Sequence, residues 1–146
     1  MNVPKLILLN IIIISCIIIV LSGCSSSGST CSKLPKIYCE PTQTYTCGCF
    51  DINKMVGGIT GGTQDATSWR MAVIIRPDSV VEFYSFDSLE FRAKVESITQ
   101  DIKTKRVRMT LVSSETVISI PTKDSLWVGS KTVIPDGASY LYIRNK

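Results

Sequence analysis

Histidine is absent from the 146-residue chain. That removes Ser-His-Asp and Cys-His nucleophile systems, His-bearing zinc motifs and histidine pH switches. Cysteine stops at Cys49, and no two cysteines stand in a Cys-x-x-Cys pair. A zinc ribbon or a thioredoxin-type dithiol therefore lacks its ligands. Charge is sparse and nearly balanced, with 16 Lys and Arg against 12 Asp and Glu. A nucleic-acid binder usually shows a more concentrated basic face, so nucleic acid is not an expected partner. A helical stripe is missing everywhere after Ser68. Long apolar runs are missing too, except one at the amino terminus, which inflates the 45% hydrophobic content.

That run extends from Leu6 to Val20, broken only by Asn10, Ser15 and Cys16, and it follows Lys5. It ends in Leu21-Ser22-Gly23-Cys24, and a serine cluster comes next. The run falls short of the roughly 20 residues that a helix needs to cross a bilayer core. A basic start, a short apolar run and a small-residue end read as an export signal. The segment from Met1 to about Ser27 resembles the signal peptide of bacterial lipoproteins, whose lipobox is an aliphatic residue, a small residue, Gly or Ala, then Cys. The resemblance implies a diacylglyceryl group on Cys24 and cleavage before it. Each buried acyl methylene contributes about 0.8 kcal/mol, and two or more chains give stable anchoring. The resemblance places the protein in the cell envelope, and Ser25 in place of aspartate implies the outer membrane where the organism has one. An uncleaved signal anchor and a plain secretory signal are the competing readings of the segment.

Residues 1–23 are thus the expected cleaved signal, and residues 24–67 a lipidated tether, Cys-rich collar and Gly-rich linker. Exported chains meet an oxidising environment, so Cys31, Cys39, Cys47 and Cys49 read as disulfides. Cys47 and Cys49 are too close in sequence to bond comfortably. One bond from each to Cys31 and Cys39 is expected, with both pairings open. Gly57-Gly58-Ile59-Thr60-Gly61-Gly62 lacks the Gly-Lys-Ser/Thr ending of a phosphate loop and is expected to be a mobile linker.

Residues 68–146 form the expected folded domain. In Leu89-Glu90-Phe91-Arg92-Ala93-Lys94-Val95-Glu96, apolar and charged residues alternate, and Arg106 to Leu111 repeats the pattern. These are half-buried strands, joined as a hairpin through the polar turn Thr99-Gln100-Asp101. Trp69–Ile75, Val80–Tyr84, Thr116–Ile120, Lys131–Ile134 and Tyr140–Ile143 read as further strands, punctuated by Pro77, Pro121, Pro135 and Gly137. The fold class is all-β: a small antiparallel barrel or sandwich that loosely resembles OB or SH3 barrels. Its expected core is Val73, Ile75, Val81, Phe83, Leu89, Phe91, Val95, Val107, Met109, Leu111, Ile118, Ile120, Val128, Val133 and Leu141.

Lys103, Lys105, Arg106 and Arg108 gather beyond the hairpin turn as the candidate contact for an anionic partner, against a reading as charges that protect a strand edge. The acids Asp78, Glu82, Asp87 and Glu90 are expected on a solvated face. Phe83, Tyr84, Phe86 and Phe91 form the densest aromatic cluster. No metal, cofactor or catalytic set is called for, so the expected role is that of a membrane-anchored binding or assembly component with an envelope protein partner. The alternative is a small-ligand-binding barrel or an inhibitor of a foreign enzyme.

Overall fold

The computed structural model describes residues 28–43, 46–59, 61–132 and 137–145. The signal at 1–23, Cys24, the core residue Val133 and most of the strand expected over Lys131–Ile134 lie outside the described residues. Among the described residues nine strands follow in order: β1 (Gly48–Gly57), β2 (Thr63–Asp65), β3 (Met71–Ile75), β4 (Val80–Ser85), β5 (Ser88–Gln100), β6 (Val107–Leu111), β7 (Thr116–Thr122), β8 (Ser125–Ser130) and β9 (Ala138–Arg144). All pairings are antiparallel, and β1 also pairs with β9 from Phe50↔Arg144 to Gly57↔Ala138. That last ladder closes β1 and β3 through β9 into an eight-stranded barrel. Short β2 lies on the edge of β1 that β3 occupies further along, opposite Lys54–Val56, while β3 holds Gly48–Asp51. Between them the chain bulges out through a 3-10 turn at Thr67–Trp69.

A barrel of eight strands has a lumen just wide enough for side chains. Here Phe50, Ile52, Val73, Ile75, Val81, Val107, Met109, Leu111, Ile118, Ile120, Leu126, Val128 and Tyr142 fill it, with Phe83, Val95 and Tyr140 packed at its margins. The alternation read from the sequence thus produces the core at most expected positions.

Five expectations need correction. The folded domain begins at Gly48, because β1 is a barrel strand carrying ladders on both edges. The glycine stretch is accordingly the β1–β2 hairpin turn, with Gly57 N–H bonded to Gly62 O at 2.8 Å and Gly61 N–H to Gly58 O at 3.0 Å. Leu89 and Phe91 are 45% and 41% exposed. An extra residue at Glu90 shifts the register, so Phe91 faces Phe83 while Leu89 faces the outward Tyr84. In addition, β6 joins β5 only from Val95 onward, which leaves the flank of Phe91 uncovered. Near the carboxyl end the inward residue is Tyr142, opposite Leu126 and Ile52, and Leu141 points out.

The collar is pinned to the start of β1 by Cys31–Cys49 and Cys39–Cys47, with Cα separations of 5.8 and 5.7 Å. This is one of the two pairings the sequence left open. Asp51 accepts from Ser29 Oγ at 2.5 Å, from Cys31 N–H at 2.9 Å and from Asn145 Nδ2 at 3.0 Å, which ties the incoming chain to both β1 and the end of β9. Strand directions place the collar, the turn at Arg76–Ser79, the β5–β6 hairpin, the turn at Lys123–Asp124 and Asn145 at one end of the barrel. The glycine hairpin, Phe86–Asp87 and Val112–Glu115 lie at the other end.

Glu82 is the fifth correction. Alternation turns it outward, as expected, yet it is fully buried. Arg76 Nη2 reaches Oε2 at 2.8 Å, Arg92 reaches Oε1 through Nη2 at 2.5 Å and Nε at 2.8 Å, and Tyr84 Oη donates to Oε2 at 3.1 Å. Burial pushes the carboxyl pKa up; the bonds from Arg76, Arg92 and Tyr84 outweigh it, so the net direction is down.

Candidate anion-binding cleft

The β5–β6 hairpin is shaped by Asp101. Its carboxylate accepts the backbone N–H groups of Lys103 at 2.8 Å and Thr104 at 2.7 Å, and its own N–H bonds Arg106 O at 3.0 Å. Asparagine and aspartate build such turns because the short side chain reaches backbone donors two residues on. Bonds from Thr104, and then from Lys103, hold the Asp101 pKa below the usual carboxylate range. Lys105 takes a left-handed conformation, φ 59°, which directs the chain back into β6.

The register of four strands then assembles one outward-facing row. Thr99 lies opposite Arg108, Arg108 opposite Ser119, and Ser119 opposite Trp127. Together with Asp101, Thr104, Arg106, Val107 and Pro121, these residues line a cleft of about 440 Å³. The four cations singled out in the sequence are therefore split. Arg106 and Arg108 enter the cleft, whereas Lys103 and Lys105 stand on the hairpin tip outside it. Trp127 was not linked to them in the sequence; only the β6–β7–β8 register brings the indole there.

The charge state of this cleft distinguishes it from the rest of the surface. Arg70 pairs with Asp87 and lies over the Phe86 ring at 5.8 Å. Arg76 and Arg92 serve Glu82. Arg144 donates to the carbonyls of Cys47 at 2.8 Å and Lys123 at 2.6 Å and covers the Phe50 ring at 4.5 Å; burial lowers its pKa. Arg106 meets only Asp101, which already serves the turn. Arg108 has no ion pair or side-chain hydrogen bond among the described residues. Glu96, on the neighbouring strand β5, is drawn to Lys131 at 3.6 Å.

A guanidinium presents a planar fork of donors suited to carboxylate or phosphate, and indole adds apolar area with a polar N–H. The cleft can therefore hold an anionic group flanked by an apolar one, with the hydroxyls of Thr99, Thr104 and Ser119 as further partners. Its one lining carboxylate, Asp101, bonds the Thr104 side chain but is committed to the backbone N–H groups of the turn, and no base lines the cleft beside Thr99 or Ser119. Among the described residues no cluster of Cys, Asp and Glu is placed to hold a metal. The expected aromatic cluster disperses: Phe83 lies against the core, Tyr84 serves Glu82, Phe86 is 66% exposed and Phe91 sits at the barrel mouth, 5.8 Å from Phe83.

No family model, curated protein or solved structure matches the chain.

Proposed function

We propose that this chain is a non-enzymatic envelope lipoprotein, held by a diacylglyceryl group on Cys24 and using its barrel to bind an acidic segment of a neighbouring envelope protein. Its address is the outer membrane in organisms that have one. The observation that carries the binding role is the pair Arg106 and Arg108, which share a cleft with Trp127; among the described residues Arg108 has no carboxylate partner, and Arg106 faces Asp101, whose carboxylate already serves the turn. Every other described arginine has a structural task within the chain. The filled lumen favours this surface reading over a ligand held inside the barrel. The commitment of Asp101, the one carboxylate lining the cleft, to the hairpin turn favours binding over acyl or phosphoryl transfer.

Crosslinking in intact cells, followed by recovery of the protein, tests the role. The unsubstituted chain is expected to yield a discrete adduct that Arg106→Glu with Arg108→Glu abolishes. An adduct of equal yield from the charge-reversed chain would overturn the cleft assignment, and no adduct from either chain would overturn the binding role. Intact mass of the membrane-extracted protein tests the anchor. A mass consistent with a chain starting at an acylated Cys24 supports it, and a product starting at Met1 refutes it.

A further inference from the structure

The barrel end that carries the collar also carries two of its most exposed large apolar side chains, Tyr38 at 86% and Ile102 at 84%. Ile102 stands on the β5–β6 hairpin between Asp101, whose carboxylate is turned into the backbone, and Lys103. Lys103 and Lys105 follow on the same tip, and neither has a side-chain partner among the described residues. Lys36 lies near Tyr38 in the collar, and Lys123 lies in the next turn. Glu40, Asp78 and Asp124 share this end, so the cationic surplus is local to the hairpin tip. An isoleucine on a turn gains nothing from the core, and flanking lysines are only partly explained by solubility. Isoleucine beside two lysines suits a surface that is apolar inside and anionic at its rim.

The chain arrives along the β1–β3 wall, where Gly28 and Ser29 line a hollow with Asp51, Ile52, Arg70 and Met71. Ser29 is bonded to Asp51 and Asn145, and Gly28 lies only four residues beyond Cys24. At roughly 3.5 Å per residue that leash reaches about 14 Å at full extension. A leash this short holds the whole barrel beside the bilayer, so a weak contact at the hairpin tip is enough to orient it.

We infer that the β5–β6 tip is a second membrane contact, with Ile102 seated at the acyl–headgroup boundary and Lys103 and Lys105 on lipid phosphates of an anionic bilayer. Tyr38 lies at headgroup level, where amphipathic rings collect. The contact orients the barrel so that the cleft opens sideways, along the membrane, toward a neighbouring anchored protein. It rests on the reading that lipid on Cys24 brings the barrel to a bilayer.

The test reconstitutes the full chain carrying Ile102→Trp into vesicles of phosphatidylcholine, alone or mixed with phosphatidylglycerol, with brominated lipid as quencher. The introduced indole is expected to shift to the blue and to be quenched in the mixed vesicles, and much less in phosphatidylcholine alone. A lysine near an anionic surface shifts the docked population about fivefold, so adding Lys103→Glu and Lys105→Glu is expected to abolish the quenching. An indole that stays solvent-like in both vesicles overturns the inference, as does quenching that ignores the charge reversal. Intact mass of the same sample keeps the two readings apart. An unquenched indole on a chain acylated at Cys24 refutes the tip and leaves the anchor standing. Charge-dependent quenching on a chain without lipid supports the tip and refutes the anchor.

Discussion

Removing the arginines around Glu82 should cost more than removing Glu82 itself. The carboxylate is fully buried, whereas the Arg76 and Arg92 side chains are 35% and 58% exposed. Glu82→Gln leaves two guanidiniums that water can reach, so a loss of about 1–2 kcal/mol is expected, typical of lost charge-assisted bonds with partial solvent compensation. Arg76→Ala or Arg92→Ala alone leaves one guanidinium on the carboxylate, for about 1–2 kcal/mol each. The double variant strands a buried charge and should lose about 3–5 kcal/mol, more than the sum of the singles. Denaturant melts of the four variants under oxidising conditions measure this directly. The pH dependence gives an independent sign. In the unsubstituted protein the Glu82 pKa lies below its unfolded value, so its stabilisation is present above about pH 4.3 and is lost as pH falls below that. Glu82→Gln should flatten that part of the profile. In the double arginine variant burial is opposed only by the bond from Tyr84, the pKa rises, and acidification from neutrality should recover stability. Additive arginine losses, or a double variant no worse than Glu82→Gln, would refute the reasoning.

The two disulfides close loops of 18 and 8 residues. Loop-closure entropy then predicts losses of about 3 kcal/mol for Cys31→Ser with Cys49→Ser and about 2.5 kcal/mol for Cys39→Ser with Cys47→Ser, read by thermal or denaturant unfolding; a reversed order would contradict it. Ile118→Ala empties a fully buried site and should cost about 2–5 kcal/mol, whereas outward, bulge-shifted Leu89→Ala should cost under about 1 kcal/mol. Equal losses would mean that the Glu90 bulge is misplaced. At Gly57, φ is 89° and an added Cβ would meet Gly137 O at 2.7 Å, while Gly61, φ 53°, has open space. Gly57→Ala should therefore lower the melting midpoint more than Gly61→Ala, which faces only the left-handed backbone cost of about 1–2 kcal/mol.

Much of the barrel is written as alternation. In β4, β6 and β7 the odd-or-even rule alone gives Val81, Val107, Met109, Leu111, Ile118 and Ile120 as interior. It fails where the ladder is irregular or the sequence is apolar on both faces. The bulge at Glu90 reverses parity within one strand, and Tyr140-Leu141-Tyr142-Ile143 has no polar residue to mark its outer side. Strand β1 hides for a different reason. Its apolar residues Phe50 and Ile52 are followed by Asn53 and Lys54, where the register against β9 shifts, and the glycines beyond look like a linker until β2 shows that they turn a hairpin. Glu82 defeats pattern reading because its partners come from three places, the β3–β4 turn, β4 itself and β5. The cleft was half legible. The local cluster of cations could be seen, but its division into tip and cleft depends on the turn that Asp101 builds, and Trp127 arrives through a cross-strand register four strands wide.

The central claim is that the partner binds at the Arg106, Arg108 and Trp127 cleft, and a photo-crosslinking residue at Ser119, on the cleft floor, tests it most directly. Illumination of intact cells should give a single adduct that disappears when Arg106→Glu and Arg108→Glu are added, while the same photo-crosslinker at exposed Glu90 gives none. Equal adducts from both positions, or an adduct at 119 indifferent to the arginines, would contradict the account.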